Sequence, residues 1–153
     1  MPFTIRVDDL SSAEVQALIA EHLRGMHATS PPEYVHALAI DALRQPDVTL
    51  WTVWEGTSLC GCGALKALNA HAGEIKSMRT KVQWLRKGVG QQLLDVIVST
   101  ARDRGYRELL LETGTGGPFE AALSLYRRNG FEFCGPFGSY VATEFNVFMV
   151  KKL

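Results

Sequence analysis

The sequence predicts a single α/β domain, and three observations carry that prediction. Glu74–Thr80 reads as a strand, Gly88–Arg104 as an amphipathic helix, and Leu109–Leu111 as an unbroken apolar run. A strand, a helix and a strand buried on both faces form a right-handed crossover between two parallel neighbours. Upstream, two strand-like runs flank Glu55, Gly56, Thr57 and Ser58, which reads as an antiparallel hairpin. With 153 residues, the chain suits one compact core and is short for two catalytic domains.

Each element has a local cause. Phe3–Val7 alternates like a strand. Ser11 and Glu14 then read as a capping box for a helix with Val15, Leu18, Ile19 and Leu23 on one stripe, ending near Gly25. Ser30 and Glu33 read as a second capping box, with Pro31 at the first helical position, for a helix reaching about Leu43 before Pro46. Thr49–Trp54 and Leu59–Leu68 are the hairpin strands. Trp51 and Trp54 fall on opposite faces of their strand and so make no stacking platform for bases. On Gly88–Arg104, Leu93, Leu94, Ile97 and Ala101 form the apolar stripe, and Gly105 stands where a helix C-terminus wants glycine. A further helix, about Phe119–Asn129, leads through Gly130 into Phe131–Cys134, and Asn146–Lys152 closes the chain as a strand.

Composition narrows the function classes. Hydrophobic residues at 46% and charged residues at 21% indicate a packed domain and exclude a disordered one. Sixteen basic and sixteen acidic side chains cancel, so any affinity for anions must come from a local patch; neither nucleic acid nor membrane is expected as a partner. Cys60, Cys62 and Cys134 form no CxxC pair and read as reduced thiols of a cytoplasmic protein. Along a strand, Cys60 and Cys62 should share a face as small buried fillers, with a metal or redox pair the rarer alternative. His22, His27, His36 and His71 show no metal-ligand spacing, so no metal is expected. The N-terminus lacks the pattern of a signal peptide, and no apolar run is long enough for a bilayer.

The most informative stretch is WLRKGVGQQLLD, Trp84–Asp95, where Gly88 and Gly90 stand at a helix start. Glycine costs helix stability, so bare backbone there has a use. A helix N-terminus presents unpaired N–H groups and partial positive charge, and glycines remove the side chains that would keep an anion away. From Ile75 to Leu94 the chain carries Lys76, Arg79, Lys81, Arg86 and Lys87 and no acidic residue. Together these read as a phosphate cradle. The lysine and hydroxyl of a P-loop are absent, and a dinucleotide fingerprint would need glycine where Leu93 stands. Packing or capping glycines remain the bland alternative.

Four segments together resemble the GNAT superfamily of acyl-CoA-dependent N-acetyltransferases: GEIKSMRT (Gly73–Thr80), LRKGVGQQLL (Leu85–Leu94), LLLETG (Leu109–Gly114) and LYRRNGF (Leu125–Phe131). Their order and spacing agree over about half the chain, and the closing VFMVKKL is similar too. The resemblance implies a mixed, mostly antiparallel sheet splayed between two parallel central strands, flanked by about four helices. Acetyl-CoA would fill the opening as co-substrate. Its pyrophosphate would rest on the amides of Arg86, Lys87, Gly88, Val89, Gly90 and Gln91, and its pantetheine arm would lie along Met78, Arg79 and Thr80. Two positions depart from the family pattern. Leu85 stands where Gln or Arg is expected, and Phe119 where many relatives carry Asn.

The resemblance also assigns chemistry. An alkylammonium with pKa near 10.4 is neutral in only about one molecule in a few thousand at pH 7, so acetyl transfer to an amine needs a base or a desolvating site. Glu74 stands where some relatives carry a general base, and by alternation it should share a face with Lys76 and Met78; the alternative is a solvated or salt-bridged strand residue. The N–H of Met78 would stabilise an oxyanion. Tyr126, the tyrosine of the LYxxxGF motif, would donate a proton to the departing thiolate, whereas helix pattern alone makes it a core aromatic. Asn129 and Gly130 are explained as a C-cap and turn. The acceptor, a primary amine of a small molecule or peptide, would enter over the first two helices and the hairpin loops, with Glu33 and His36 on its path and Pro136–Tyr140 as a second wall. Because many relatives pair, a homodimer is an expectation. The competing reading is a non-catalytic acyl-CoA-binding or regulatory domain.

Overall fold

The structure is a computed structural model in which residues 3–29 and 40–153 are described, residues 26–29 by backbone alone. A seven-stranded sheet runs through it in the order β1-β2-β3-β4-β5-β7-β6. The strands are β1 (Thr4–Val7), β2 (Val48–Glu55), β3 (Ser58–Asn69), β4 (Ala72–Thr80), β5 (Glu108–Gly114), β6 (Glu132–Cys134) and β7 (Asn146–Lys152). All neighbours are antiparallel except β4 and β5, which run parallel, as the crossover requires. Among the described residues four helices flank the sheet: α1 (Ala13–Thr29), α2 (Ile40–Leu43), α3 (Val89–Asp103) and α4 (Glu120–Arg128). No helix is long and apolar enough to cross a membrane among the described residues.

Two cores lie on the two faces. Val89, Leu93, Leu94, Ile97 and Ala101 of α3 pack with Trp51, Leu65, Ile75, Leu109, Leu111 and Tyr126 on one face. Val15, Leu18 and Ile19 of α1 pack with Leu50, Trp54 and Ala64 on the other. Trp51 and Trp54 therefore do occupy opposite faces, and the Trp54 indole donates to Thr52 Oγ1 at 2.8 Å.

Helix α1 departs from its expected limits at both ends. Ser12, not Ser11, caps it, its Oγ accepting from the Val15 amide at 3.2 Å. The helix also runs through Gly25 to Thr29. At Gly25 the missing side chain serves packing, since a Cβ there would sit 3.0 Å from Arg79 Nη1. Of the second expected helix, only the last turn, α2, falls within the described residues; Ser30, Pro31 and Glu33 lie outside them.

Of three register shifts in these strands, two change the face that a candidate residue takes. In β3 the register shifts opposite Val53 and Trp54, so Cys60 joins the α3-side core and Cys62 the α1-side core. The two thiols are buried fillers as expected, but on opposite faces. In β4 the register shifts again between Ala64 and Cys62, and Ser77 adopts φ 56°. Glu74 and Lys76 share the α1 side, but Met78 turns to the α3 side, where its Sδ would collide with any Cβ at Gly63. The expectation that Met78 shares a face with Glu74 is thus overturned by one extra residue in the strand.

Candidate functional site

The second bulge opens the sheet. Pairing of β4 with β5 ends at Ile75 opposite Leu111, while β4 continues along β3 as far as Thr80 opposite Gly61. The unpaired edges diverge around a cavity of about 540 Å³. Met78, Thr80, Leu85, Gly90, Ala122, Leu125 and Tyr126 line its α3 and α4 side; Lys76, Arg79, His22 and Gly25 line its α1 side. The cavity therefore reaches both faces of the sheet through the gap between its two parallel strands.

At the α3 end, the glycine-bearing helix start expected from the sequence has open backbone. Gly88 holds φ 89°, a left-handed conformation that glycine adopts without strain, and Arg86 holds φ 63°. The first hydrogen bond of α3 runs from the Gln92 amide to the Gly88 carbonyl at 3.1 Å. Among the described residues, no group accepts from the amides of residues 86–91. A Cβ at Gly88 would meet nothing within 4 Å, so the approach to these amides is open. Gly90 has a different use: its bare Cα lets α4 approach, with Leu125 Cδ2 3.1 Å from where a Cβ would stand. Val89 is buried, while Arg86 and Lys87 are exposed; Lys87 Nζ lies 5.9 Å from the Trp84 ring centre. The Gln91 side chain does not point at a ligand site but forms a reciprocal amide pair with Asn129, at 2.7 and 2.9 Å, locking the start of α3 to the end of α4. Asn129 is also the C-cap of α4, followed by Gly130 at φ 88°. Phe119 precedes α4, with no side-chain cap, and its ring packs on Gly114 in the space a Cβ would need.

Tyr126 is a buried residue of α4, 5% exposed, and its ring meets Phe131 edge-on with centroids 5.5 Å apart. It is thus a core aromatic and a member of the cavity wall at once. Burial pushes its phenol pKa above the usual tyrosine range, so the proton stays on the oxygen at neutral pH.

Glu74 is in the α1-side half of the sheet, away from Tyr126's face. Its carboxylate is buried, and Oε2 accepts from Lys76 Nζ at 3.1 Å and from the Tyr140 hydroxyl at 2.6 Å. Lys76 also donates to the Tyr140 oxygen at 2.6 Å, closing a triangle. Burial, then the hydrogen bond to Glu74, pushes the Tyr140 pKa upward. Tyr140 is held by an aromatic cluster with Phe137 and Phe148, at centroid distances of 5.1 and 5.9 Å. Lys76 belongs to the cavity wall, and Glu74 stands behind it.

Arg79 crosses toward α1, where its Nη2 donates to Glu21 at 3.2 Å. His22 lies beside it, and burial first, then the Arg79 charge, lowers its pKa to about 4. The sequence offered Glu74, Arg79 and Tyr126 as candidates, with Lys76 in the basic run and Tyr140 in a second wall, but it linked neither Lys76 nor Tyr140 to the Glu74 carboxylate and gave no role to His22. Tyr140 is 66 residues from Glu74, and no spacing rule links them. Glu33 and His36 lie outside the described residues.

Known proteins agree with this architecture. Residues 14–131 match the Acetyltransferase (GNAT) family. The uncharacterized N-acetyltransferase YsnE of Bacillus subtilis is 50% identical over 149 residues, covering 97% of this chain and 99% of that one. The uncharacterized N-acetyltransferase YedL of Escherichia coli is 51% identical over 138 residues, covering 90% and 87%. In fold, the chain resembles the PaiA N-acetyltransferase of Thermoplasma acidophilum solved with coenzyme A, with TM-score 0.74, 19% identity and full coverage of both chains. A sheet parted between its parallel strands, with open amides at one mouth of the gap and a sequence match across most of its length, places this chain in the Acetyltransferase (GNAT) family.

Proposed function

We propose that this chain is an N-acetyltransferase that moves an acetyl group from acetyl-CoA to a primary amine by direct attack. The observation that carries this reading is the cavity between β4 and β5, with unpartnered amides at residues 86–91 on one side and a polar cluster on the other. The amides of Arg86, Lys87, Gly88, Val89, Gly90 and Gln91 suit a pyrophosphate, because a helix start offers N–H groups and positive potential together. The unpaired edge of β4 at Met78, Arg79 and Thr80 suits an extended amide-bearing arm, which would pair with it as a strand does. Coenzyme A fits these features, and structural neighbours carry it: a GNAT acetyltransferase of Elizabethkingia anophelis has acetyl-CoA bound.

The thioester supplies the acetyl group. The amine nitrogen bonds to its carbonyl carbon, the carbon–sulfur bond breaks, and a proton goes to the departing sulfur. Tyr126 is the donor in this reading, its proton retained by burial until a thiolate develops beside it. The Met78 amide, on the bulged strand, is the group assigned to the oxyanion. Glu74 is the base in this reading, and Tyr140 and Lys76 hold its carboxylate in place. Direct attack needs no covalent enzyme intermediate. A compartment in the cytoplasm and a homodimer belong to the same proposal.

The test is thiol release from acetyl-CoA with a panel of amines, with mass spectrometry reading the gain of one acetyl unit. Calorimetry with coenzyme A runs beside it. Binding with turnover supports the enzyme; binding with no turnover on any amine favours the non-catalytic acyl-CoA-binding domain; absence of binding removes both.

A further inference from the structure

The α1 side of the cavity has a chemistry of its own. Its charged wall members are Lys76 and Arg79 on β4 and Glu112 on β5, with His22 neutral beside Arg79. The carboxylates that pair with the two cations, Glu74 and Glu21, are not part of that wall. The donors are not used up either. Lys76 has three protons and places two, on Glu74 and Tyr140. Arg79 has five N–H donors and engages Glu21 through Nη2, while its Nε is buried without a partner. Ser77 Oγ and His22 Nδ1 are also buried without a partner. The remaining protons of Lys76 Nζ and of the Arg79 guanidinium are the donors that a ligand on this wall would meet.

We infer that the acceptor amine also carries a carboxylate, which Arg79 and Lys76 receive on the β4 wall, while its amine faces the gap between β4 and β5. This rests on the acyl-transfer reading above and names the substrate class for it: a free amino acid or a close relative. A guanidinium fork matches a carboxylate in shape as well as charge. A polyamine would place a second cation against Arg79 and Lys76, and a peptide N-terminus would bring a neutral amide where the donors expect an anion. Both are disfavoured by the same wall.

The experiment pairs the twenty common amino acids with their carboxamides as acceptors for the full chain with acetyl-CoA. For every accepted side chain, the acid should exceed its amide by at least about tenfold in kcat/KM. Arg79→Met should erase that preference by raising KM for the acid. Amides equal to acids, or spermidine ahead of both, would overturn the inference. If neither series is acetylated, the imidazole resonances of His22 in the coenzyme-A-loaded protein decide. A bound carboxylate favours the imidazolium and moves the His22 titration upward, while the amides leave it unmoved. Movement with the acids alone keeps the subsite and sinks the transfer reading. No turnover and no movement sinks the subsite.

Discussion

Tyr126→Phe removes one oxygen from a ring that is otherwise held by packing against Phe131 and the α3-side core. The fold should be kept, since the phenol of Tyr126 is perturbed by burial alone. Turnover should fall by about 100-fold or more, the usual worth of a positioned proton donor, with coenzyme A affinity within about twofold. Steady-state rates with calorimetry check this, and an unchanged rate would take Tyr126 out of the chemistry. Glu74 needs a different test, because its carboxylate also holds the structure. Its side chain is 4% exposed and that of Lys76 7%. Glu74→Leu would strand a buried ammonium and should cost about 3–5 kcal/mol in urea denaturation. Tyr140→Phe leaves the ion pair and should cost about 1–2 kcal/mol. If Glu74 also acts as base, Glu74→Gln should lower turnover more than it lowers stability; a loss in rate no larger than that of Tyr140→Phe would leave it a structural partner. His22 adds a pH dependence. Its folded pKa of about 4 lies below the unfolded value of 6.5. Between these values the unfolded chain takes up a proton that the folded chain refuses, so stability falls as pH falls from about 6.5 to about 4. His22→Asn should flatten that part of the profile, as thermal melts across the range would show.

At the scale of elements, two short irregularities build the site. Gly88 takes φ 89° at the start of α3, and a side chain there would be strained and would also stand over the open amides. Gly88→Ala should cost about 1 kcal/mol from the left-handed backbone, and a bulkier residue should weaken coenzyme A binding measurably by calorimetry. Wild-type affinity in Gly88→Val would argue that the anion rests elsewhere. This element was legible in the sequence because glycine, basic residues and a helix start coincide within a few positions. The bulge at Ser77 was not. A serine carries no signature of positive φ, and a strict alternation through Glu74, Lys76 and Met78 placed Met78 on the wrong face. The same reasoning failed at Cys60 and Cys62, where the extra residue is set by pairing with β2 rather than by β3 itself. Local periodicity records which face a residue wants, and bulges arise from register between strands, which one strand's pattern does not contain. The triangle of Glu74, Lys76 and Tyr140 was hidden for a related reason: it joins β4 to a loop before β7, and tertiary packing through Phe137 and Phe148 brings them together.

For the molecule as a whole, the parted sheet has a thermodynamic consequence. Strands β1–β4 and β5–β7 meet through only four paired positions, Ala72–Ile75 against Glu108–Leu111. Beyond these, β4 and β5 lack each other as partners, and α3 and α4 bridge the halves through Gln91 and Asn129. A ligand that grips amides 86–91, lines up on β4 and touches α4 would join the two halves, and would do so only in the folded state. Coenzyme A at 100 times its Kd should therefore add about 2.7 kcal/mol of stability, or about 5–10 °C in Tm for a chain of this size. Hydrogen exchange should show where that energy acts. Protection should rise at residues 78–80 and 86–91 and leave the β1–β2 edge unchanged, because a ligand slows the opening of the segments it bridges. A thermal shift with uniform protection would mean that the ligand stabilises the domain without entering the gap, and the assignment of β4 as its docking edge would fail.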